Sequence, residues 1–421
     1  MQQNEHAGGA WRRSASMLLV VAALAVAAPA STSVAWGKTA EAGAPADARL
    51  VVGETEAVGP GVRHTEFRWS LPQGSTEGDL LQVDLANPRV SVDLIDPGVV
   101  AAREEVSDMA EAQHAVAAVN GDFFNIGETN APVGPAVADG VDLKAAVPLG
   151  QAFGPSAPGR STEDVFGVGA DRVGRLDRLS LRGSAVTSDG AIGLDGLNQY
   201  AIRVGGIGAF TPDWGTVSRT RSTCGTDTNR SAPCSEQTAE VVVSDGVVAE
   251  IREQPGSGPI APGGFVLVGR EAGADRLREQ LAVGERVTID YELVESAGGE
   301  LEFAVGGAPI MRDRQPLVGL NATVLAPRTA AGVSADGRRL YLLTADGRSV
   351  ESRGLSLLEL AELARVFGAD DAMNLDGGGS STLVAEEPGE DQVTVQNVPS
   401  DGAERPVPNG VGVFVSVPPT P

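Results

Sequence analysis

The chain has 421 residues, 42% of them hydrophobic and 21% charged, which places it among globular proteins able to bury one large core or two smaller ones. Its 56 acidic against 32 basic residues give a formal charge of −24, disfavouring non-specific attraction to nucleic acid or anionic membranes. Lys38 and Lys144 are the two lysines, so an anionic substrate would have to be recognised by local arginines acting against the overall field.

At the N-terminus Arg12 and Arg13 precede an apolar run from Met17 to Ala28 and the small-residue sites Ala28-Pro29-Ala30 and Ser33-Val34-Ala35. Together they read as a secretory signal over 1–35. The run is too short for a comfortable membrane span, so a secreted, extracellular product without stable membrane insertion is expected, an uncleaved anchor being the alternative. Residues 36–58 are rich in Ala, Gly and Glu with little pattern, and are expected to form a flexible lead-in. From Gly59 the texture changes. Thr65 to Trp69 and Leu80 to Ile95 read as strands closed by Asp96-Pro97-Gly98.

Ser107 is placed as the cap of a short helix through Gln113. The apolar run Ala115 to Val119 then leads into Asn120-Gly121-Asp122-Phe123-Phe124-Asn125. Asn120 and Asp122 share a face if the strand continues; the alternative is an Asx-turn in which both bond local backbone. Residues 126–160 are dense in Gly, Pro and Ala, with a hairpin at Asp139-Gly140, and read as a binding loop or lid.

Residues 161–295 form a strand-rich middle section, with a hairpin at Asp245-Gly246, a short helix from Ala274 to Leu281 and a strand from Arg286 to Leu293. Asn198 to Arg203 and Ala209 to Gly215 offer polar and aromatic groups for a sugar, although partial burial under a loop suits Trp214 better. Cys224 and Cys234, with nine residues between them, are read as a disulfide closing a surface loop, consistent with export. Phe303 to Met311 is an apolar run interrupted by Gly306-Gly307. Arg328 to Ser334 and Arg339 to Thr344 flank a further hairpin turn at Asp336-Gly337.

The best helix opens at Ser356, where Ser356 and Glu359 form a capping box. Leu357, Leu360, Ala361, Ala364 and Phe367 recur at helical spacing, and Gly368 is the stop. It aims the chain into Asn374-Leu375-Asp376-Gly377-Gly378-Gly379-Ser380-Ser381-Thr382. Asn374 and Asp376 share one face of an extended strand while Leu375 points into a core. Three ordered glycines cost roughly 0.5–1 kcal/mol each, which calls for positive φ or close approach of another group. Their amides could cradle an anion. A final strand runs from Val411 to Val417. The pattern predicts an α+β fold, a strand-rich mixed sheet core with a few packed helices in a single large domain over 59–417.

Several stretches in this order resemble the phosphodiester glycosidase family: Val119 to Phe124, Pro262 to Leu267, Gly306-Gly307-Ala308-Pro309, Arg328 to Val333, Asn374 to Thr382 and Glu404 to Val411. The resemblance implies hydrolysis of a sugar-1-phosphodiester at the sugar C1–O bond, giving a free sugar and a phosphate monoester. On that reading Asp122 and Asp376 supply the nucleophile or base, and Arg328 with the Gly377, Gly378 and Gly379 amides stabilises the phosphate. Asn120, Asn374, Ser380, Ser381 and Thr382 position substrate oxygens. The substrate would be a glycan or sugar phosphodiester, with cell-wall polymer or exopolysaccharide as sources. Three alternatives stay open: a non-catalytic glycan- or teichoic-acid-binding protein, a phosphodiesterase cutting the other side of phosphorus, and a Ca²⁺ site built from Asn120, Asp122, Asn125 and Asp376.

Overall fold

The computed structural model describes residues 49–155 and 157–416; the segment read as a signal and the start of the lead-in lie outside them. Four sheets and three α-helices make up the described chain, and the fold is α+β.

The largest sheet has eight strands in the order Arg49–Gly59, Val62–Leu71, Gly74–Asp84, Arg339–Ala345, Arg328–Val333, Asp371–Asn374, Ala308–Arg312 and Gln315–Pro316. Its first strand corrects the expected lead-in, because residues 49–58 pair along Val62–Leu71. That strand is an exposed edge with almost no buried face, so it lacks the alternation by which a strand is read from sequence. A five-stranded sheet runs Val393–Val395, Leu383–Glu386, Ala117–Asn120, Gly410–Val415 and Val90–Ile95. These two sheets carry the two Asn-x-Asp motifs at their strand ends. Val119, Leu375, Met373 and Leu383 share one apolar cluster between them.

The other two sheets, of seven and five strands, are built from the middle of the chain. Pairing is antiparallel throughout the described residues except between Gly196–Leu197 and Ile207–Phe210. The turns at Asp139-Gly140, Asp245-Gly246 and Asp336-Gly337 each close a two-stranded hairpin, as the sequence predicts.

Helix α1 spans Val106–Gln113 and α2 Ala272–Gln280. Ser107 does not cap α1. It lies in the first turn, and its amide and hydroxyl both donate to the Glu404 carboxylate, at 3.1 and 2.6 Å. Helix α3, Leu357–Phe367, has the capping box, with Ser356 Oγ accepting from the Glu359 amide and Glu359 accepting from the Ser356 amide. It ends on Gly368 in the left-handed region. Leu357, Leu360, Ala361 and Ala364 are buried, and this apolar face packs on the strands that flank and contain Asn374.

Candidate functional site

The two Asn-x-Asp motifs meet at the ends of the two sheets. The Asp376 amide donates to the Gly121 carbonyl at 2.9 Å. Asn120 Nδ2 donates to the Asp376 carbonyl at 2.8 Å, across 256 positions of sequence. Asn120 Oδ1 accepts from Thr329 Oγ1 at 2.7 Å and from the Thr382 amide at 3.1 Å. Both ends of this buried amide are thus engaged in tying the five-stranded sheet to the large one. Asn120 therefore braces the site, with both ends of its amide already engaged within the protein.

Asp122 is buried, and its Oδ2 accepts from the Gly134 amide at 2.6 Å. The backbone comes extremely close here. A Cβ on Gly306 would stand 2.5 Å from Asp122 Oδ2, so that position tolerates only glycine. Burial pushes the Asp122 carboxyl above its ordinary range, against the Gly134 hydrogen bond and the charges of Lys144 and Arg160. Lys144, completely buried, donates to the carbonyls of Val133 at 3.3 Å, Gly134, and Ala145 at 2.7 Å. Burial lowers the pKa of its ammonium while Asp122 pulls the other way.

Asp376 is partly exposed. Its Oδ1 accepts from the Gly377 amide at 2.9 Å and its Oδ2 from Ser380 Oγ at 2.7 Å. Desolvation nevertheless raises its carboxyl to about 6, and the neighbouring Asp122 charge adds to the rise.

Asn374 sits in register between Ala308 and Ala330, two small neighbours, with its side chain wholly buried. Neither its Oδ1 nor its Nδ2 has a hydrogen-bond partner within the protein. Asp122 Oδ1, Ser381 Oγ and Thr382 Oγ1 share that condition, so five of the nine such atoms among the described residues fall in these two motifs and the turn that follows the second. Buried polar atoms without partners are rare in native folds, and their concentration marks this end of the sheets as the candidate site.

The glycine turn is explained atom by atom. Gly378 has φ +65°, while a Cβ on Gly377 would stand 2.8 Å from the Pro327 carbonyl oxygen. A Cβ on Gly379 would meet Arg405 Nη2 and Asp401 Oδ2 at 2.1 Å. Of the three amides expected to cradle an anion, that of Gly377 donates to Asp376 and that of Gly378 to the Pro327 carbonyl. Cationic side chains surround the turn instead. Arg328 Cδ lies 3.8 Å and Arg348 Nη2 3.0 Å from the positions that Cβ atoms on Gly377 and Gly378 would take. Arg405 pairs with Asp401 at 2.6 Å and reaches Ser380 Oγ at 3.4 Å. Among the described residues no carboxylate lies within ion-pair distance of Arg328 or Arg348. In a chain with 56 acidic residues, two such cations beside one turn favour an anionic ligand. Arg328 holds itself in place by donating from Nε to the Leu355 carbonyl at 3.0 Å and from Nη2 to the Val324 carbonyl at 3.1 Å.

Sequence reasoning missed Lys144, Arg160, Arg348 and Arg405 as parts of this site. Lys144 carried a signal, being one of two lysines at the end of an apolar stretch; the arginines look like any others. The four residues of the Ca²⁺ alternative are differently engaged. Asn125 Oδ1 accepts from the Thr129 amide and hydroxyl, each at 2.9 Å, and Asn120 Oδ1 is engaged as above, leaving only two of the four ligands. The proposed sugar contacts in the middle section are structural. Trp214 and Tyr200 are fully buried, donating to the Val217 and Gln151 carbonyls, and Asn198 is bonded to Leu143 and Thr211. Cys224 and Cys234 are joined in a disulfide.

Comparison with known proteins adds a family match over part of the chain and a shared fold. Residues 237–414 match the phosphodiester glycosidase family model, a stretch that contains Asp376 and the three arginines but not Asp122. An uncharacterized SPbeta prophage-derived protein of Bacillus subtilis is 34% identical over 124 residues, 28% of this chain and 18% of that protein. The mouse N-acetylglucosamine-1-phosphodiester alpha-N-acetylglucosaminidase is 49% identical over 61 residues, 14% of this chain and 11% of the enzyme. The chain thus spans less than a fifth of the length of either relative. Among solved structures, a hypothetical protein from Synechocystis superposes with TM-score 0.65 at 21% identity, over 85% of this chain and 62% of that one. A Burkholderia pseudomallei protein does so with TM-score 0.68 at 19% identity, over 88% of this chain and 97% of that one. These two share the fold.

Proposed function

We propose, from the membership of residues 237–414 in the phosphodiester glycosidase family, that this chain is an exported hydrolase. It cleaves a sugar-1-phosphodiester at the sugar C1–O bond, releasing the free sugar and a phosphate monoester. The observation that carries this reading is the pairing of two desolvated carboxyls, Asp122 and Asp376, beside a turn lined by Arg328, Arg348 and Arg405.

A phosphate monoester is a weakly basic leaving group, so its departure needs compensation of negative charge more than a strong acid. Arg328 and Arg348 supply that charge at the rim of the turn. As the C1–O bond breaks, the electron pair stays with the phosphoryl oxygen and positive charge develops on the sugar ring. Asp122, buried and aimed by the Gly134 amide, stabilises that charge. Asp376, partly exposed and with a pKa of about 6, takes the proton of the water whose oxygen forms the new bond to C1. Asn374, Ser381 and Thr382 offer unpartnered polar atoms to the sugar hydroxyls.

The test is product analysis with N-acetylglucosamine- and glucose-1-phosphodiesters, with and without chelator. Free reducing sugar together with a phosphate monoester supports the assignment. Sugar-1-phosphate would mean cleavage on the other side of phosphorus, and binding without turnover would make the chain a glycan-binding module.

A further inference from the structure

We infer that the group esterified to the phosphate in the preferred substrate is an apolar chain, and that Val324, Leu325 and Val350 receive it; this rests on the reading of the site as a phosphodiester glycosidase and names its substrate class. Val324 carries the carbonyl that accepts from Arg328 Nη2 at 3.1 Å, and Leu325 follows it. Val350 lies two residues beyond Arg348, whose guanidinium covers Gly378. The two segments form one rim. Ala326 and Leu355 exchange backbone hydrogen bonds at 3.2 and 2.9 Å, and a Cβ on Gly347 would stand 2.8 Å from the Pro327 nitrogen. The Gly378 amide bonds the Pro327 carbonyl at 2.9 Å, so the rim is continuous with the glycine turn.

All three apolar side chains face solvent: Val350 is 99% exposed, Val324 59% and Leu325 39%. Scattered exposed valines are ordinary, but these adjoin two arginines that have no carboxylate partner among the described residues. With the sugar among the buried polar atoms of Asp122 and Asn374 and the phosphate on the arginines, the remaining substituent leaves the turn across this rim.

Charge selects between chain types. A polymer with a phosphate at every repeat would extend many anions over a protein of net charge −24, whereas a diester with one phosphate and an apolar tail presents a single anion to the arginines. The substrate class is therefore a sugar-1-phosphodiester of a long-chain alcohol. Its hydrolysis transfers the sugar C1 to water oxygen and leaves the alkyl phosphate, with one proton released between them.

The product side can be tested without knowing the sugar. Calorimetry with octyl phosphate, methyl phosphate, octanol and a short glycerol-phosphate oligomer should show octyl phosphate binding at least tenfold more tightly than methyl phosphate and octanol binding negligibly. Val350→Asp and Val324→Asp should reduce the octyl-to-methyl ratio at least threefold, with the circular dichroism spectrum of each variant confirming the fold. Equal affinity for octyl and methyl phosphate, or tighter binding of the oligomer, overturns the inference. If no sugar-1-phosphodiester is hydrolysed while octyl phosphate still binds preferentially at this rim, the enzymatic reading fails and the apolar-tailed phosphate ligand stands.

Discussion

Asn120-Gly121-Asp122 and Asn374-Leu375-Asp376 are near copies in sequence, yet the fold gives their residues opposite conditions. In the first, the asparagine has its amide engaged at both ends as a brace between sheets, and the aspartate is buried against Gly134 and Gly306. In the second, the asparagine is buried without a partner and the aspartate is partly exposed beside Ser380. The same residue type can hold a site together or stand ready for a ligand, and the difference lies in what the neighbouring strands offer it.

The largest effect should come from the aspartates. Asp376→Asn or Asp122→Asn should reduce kcat by about 10²–10⁴ for at least one of the two, with KM changed less, in steady-state assays on a hydrolysed diester. The fold raises the Asp376 carboxyl from 3.8 to about 6, so it disfavours the ionised form and stability declines as pH rises from about 4 to about 6. Asp376→Asn should accordingly melt at or above the parent temperature at pH 7, and any advantage should vanish near pH 4. A large loss of melting temperature at pH 7 would make Asp376 a structural residue.

The platform under the second motif comes next. Leu360 is fully buried on α3, and Leu360→Ala should cost about 2–5 kcal/mol in chemical denaturation while the folded protein keeps its KM. Full stability with selective loss of affinity would instead put the helix in contact with substrate.

The two asparagines provide the sharpest contrast. Asn120→Ala leaves the Thr329 hydroxyl and the Thr382 amide without their acceptor and should cost about 2–4 kcal/mol. Asn374→Ala removes two atoms that have no partner and should change stability by about 1 kcal/mol or less, with its effect on KM or kcat. Equal stability losses would erase the distinction between brace and ligand group. The smallest step is in pH: below pH 6 kcat should decline by up to tenfold per unit as Asp376 protonates, and in Asp376→Asn the decline should be shallower, left to the raised Asp122 carboxyl alone.

Local chemistry made much of this molecule legible. Asp-Gly pairs between β-prone runs specify hairpins because few residues accept the positive φ those turns need, and the Ser356–Glu359 box marks a helix start by satisfying amides within three residues. Leu375 against Asn374 and Asp376 follows from the two-residue period of a strand. The first strand was invisible because an exposed edge is held by backbone bonds alone, and Trp214 and Tyr200 were ambiguous because aromatic residues serve cores and ligands equally.

What the sequence determined by itself was the class of the fold, its hairpins, the capped helix and the two polar strand ends, all products of interactions a few residues long. Only the tertiary structure decided that Asn120 braces while Asn374 stands unpartnered, and that Lys144 lies under Asp122. It also decided that Arg328, Arg348 and Arg405 surround one glycine turn. Each of those outcomes depends on which groups distant in the chain arrive within about 3–4 Å, where hydrogen bonding and desolvation act, and no local pattern encodes that arrival.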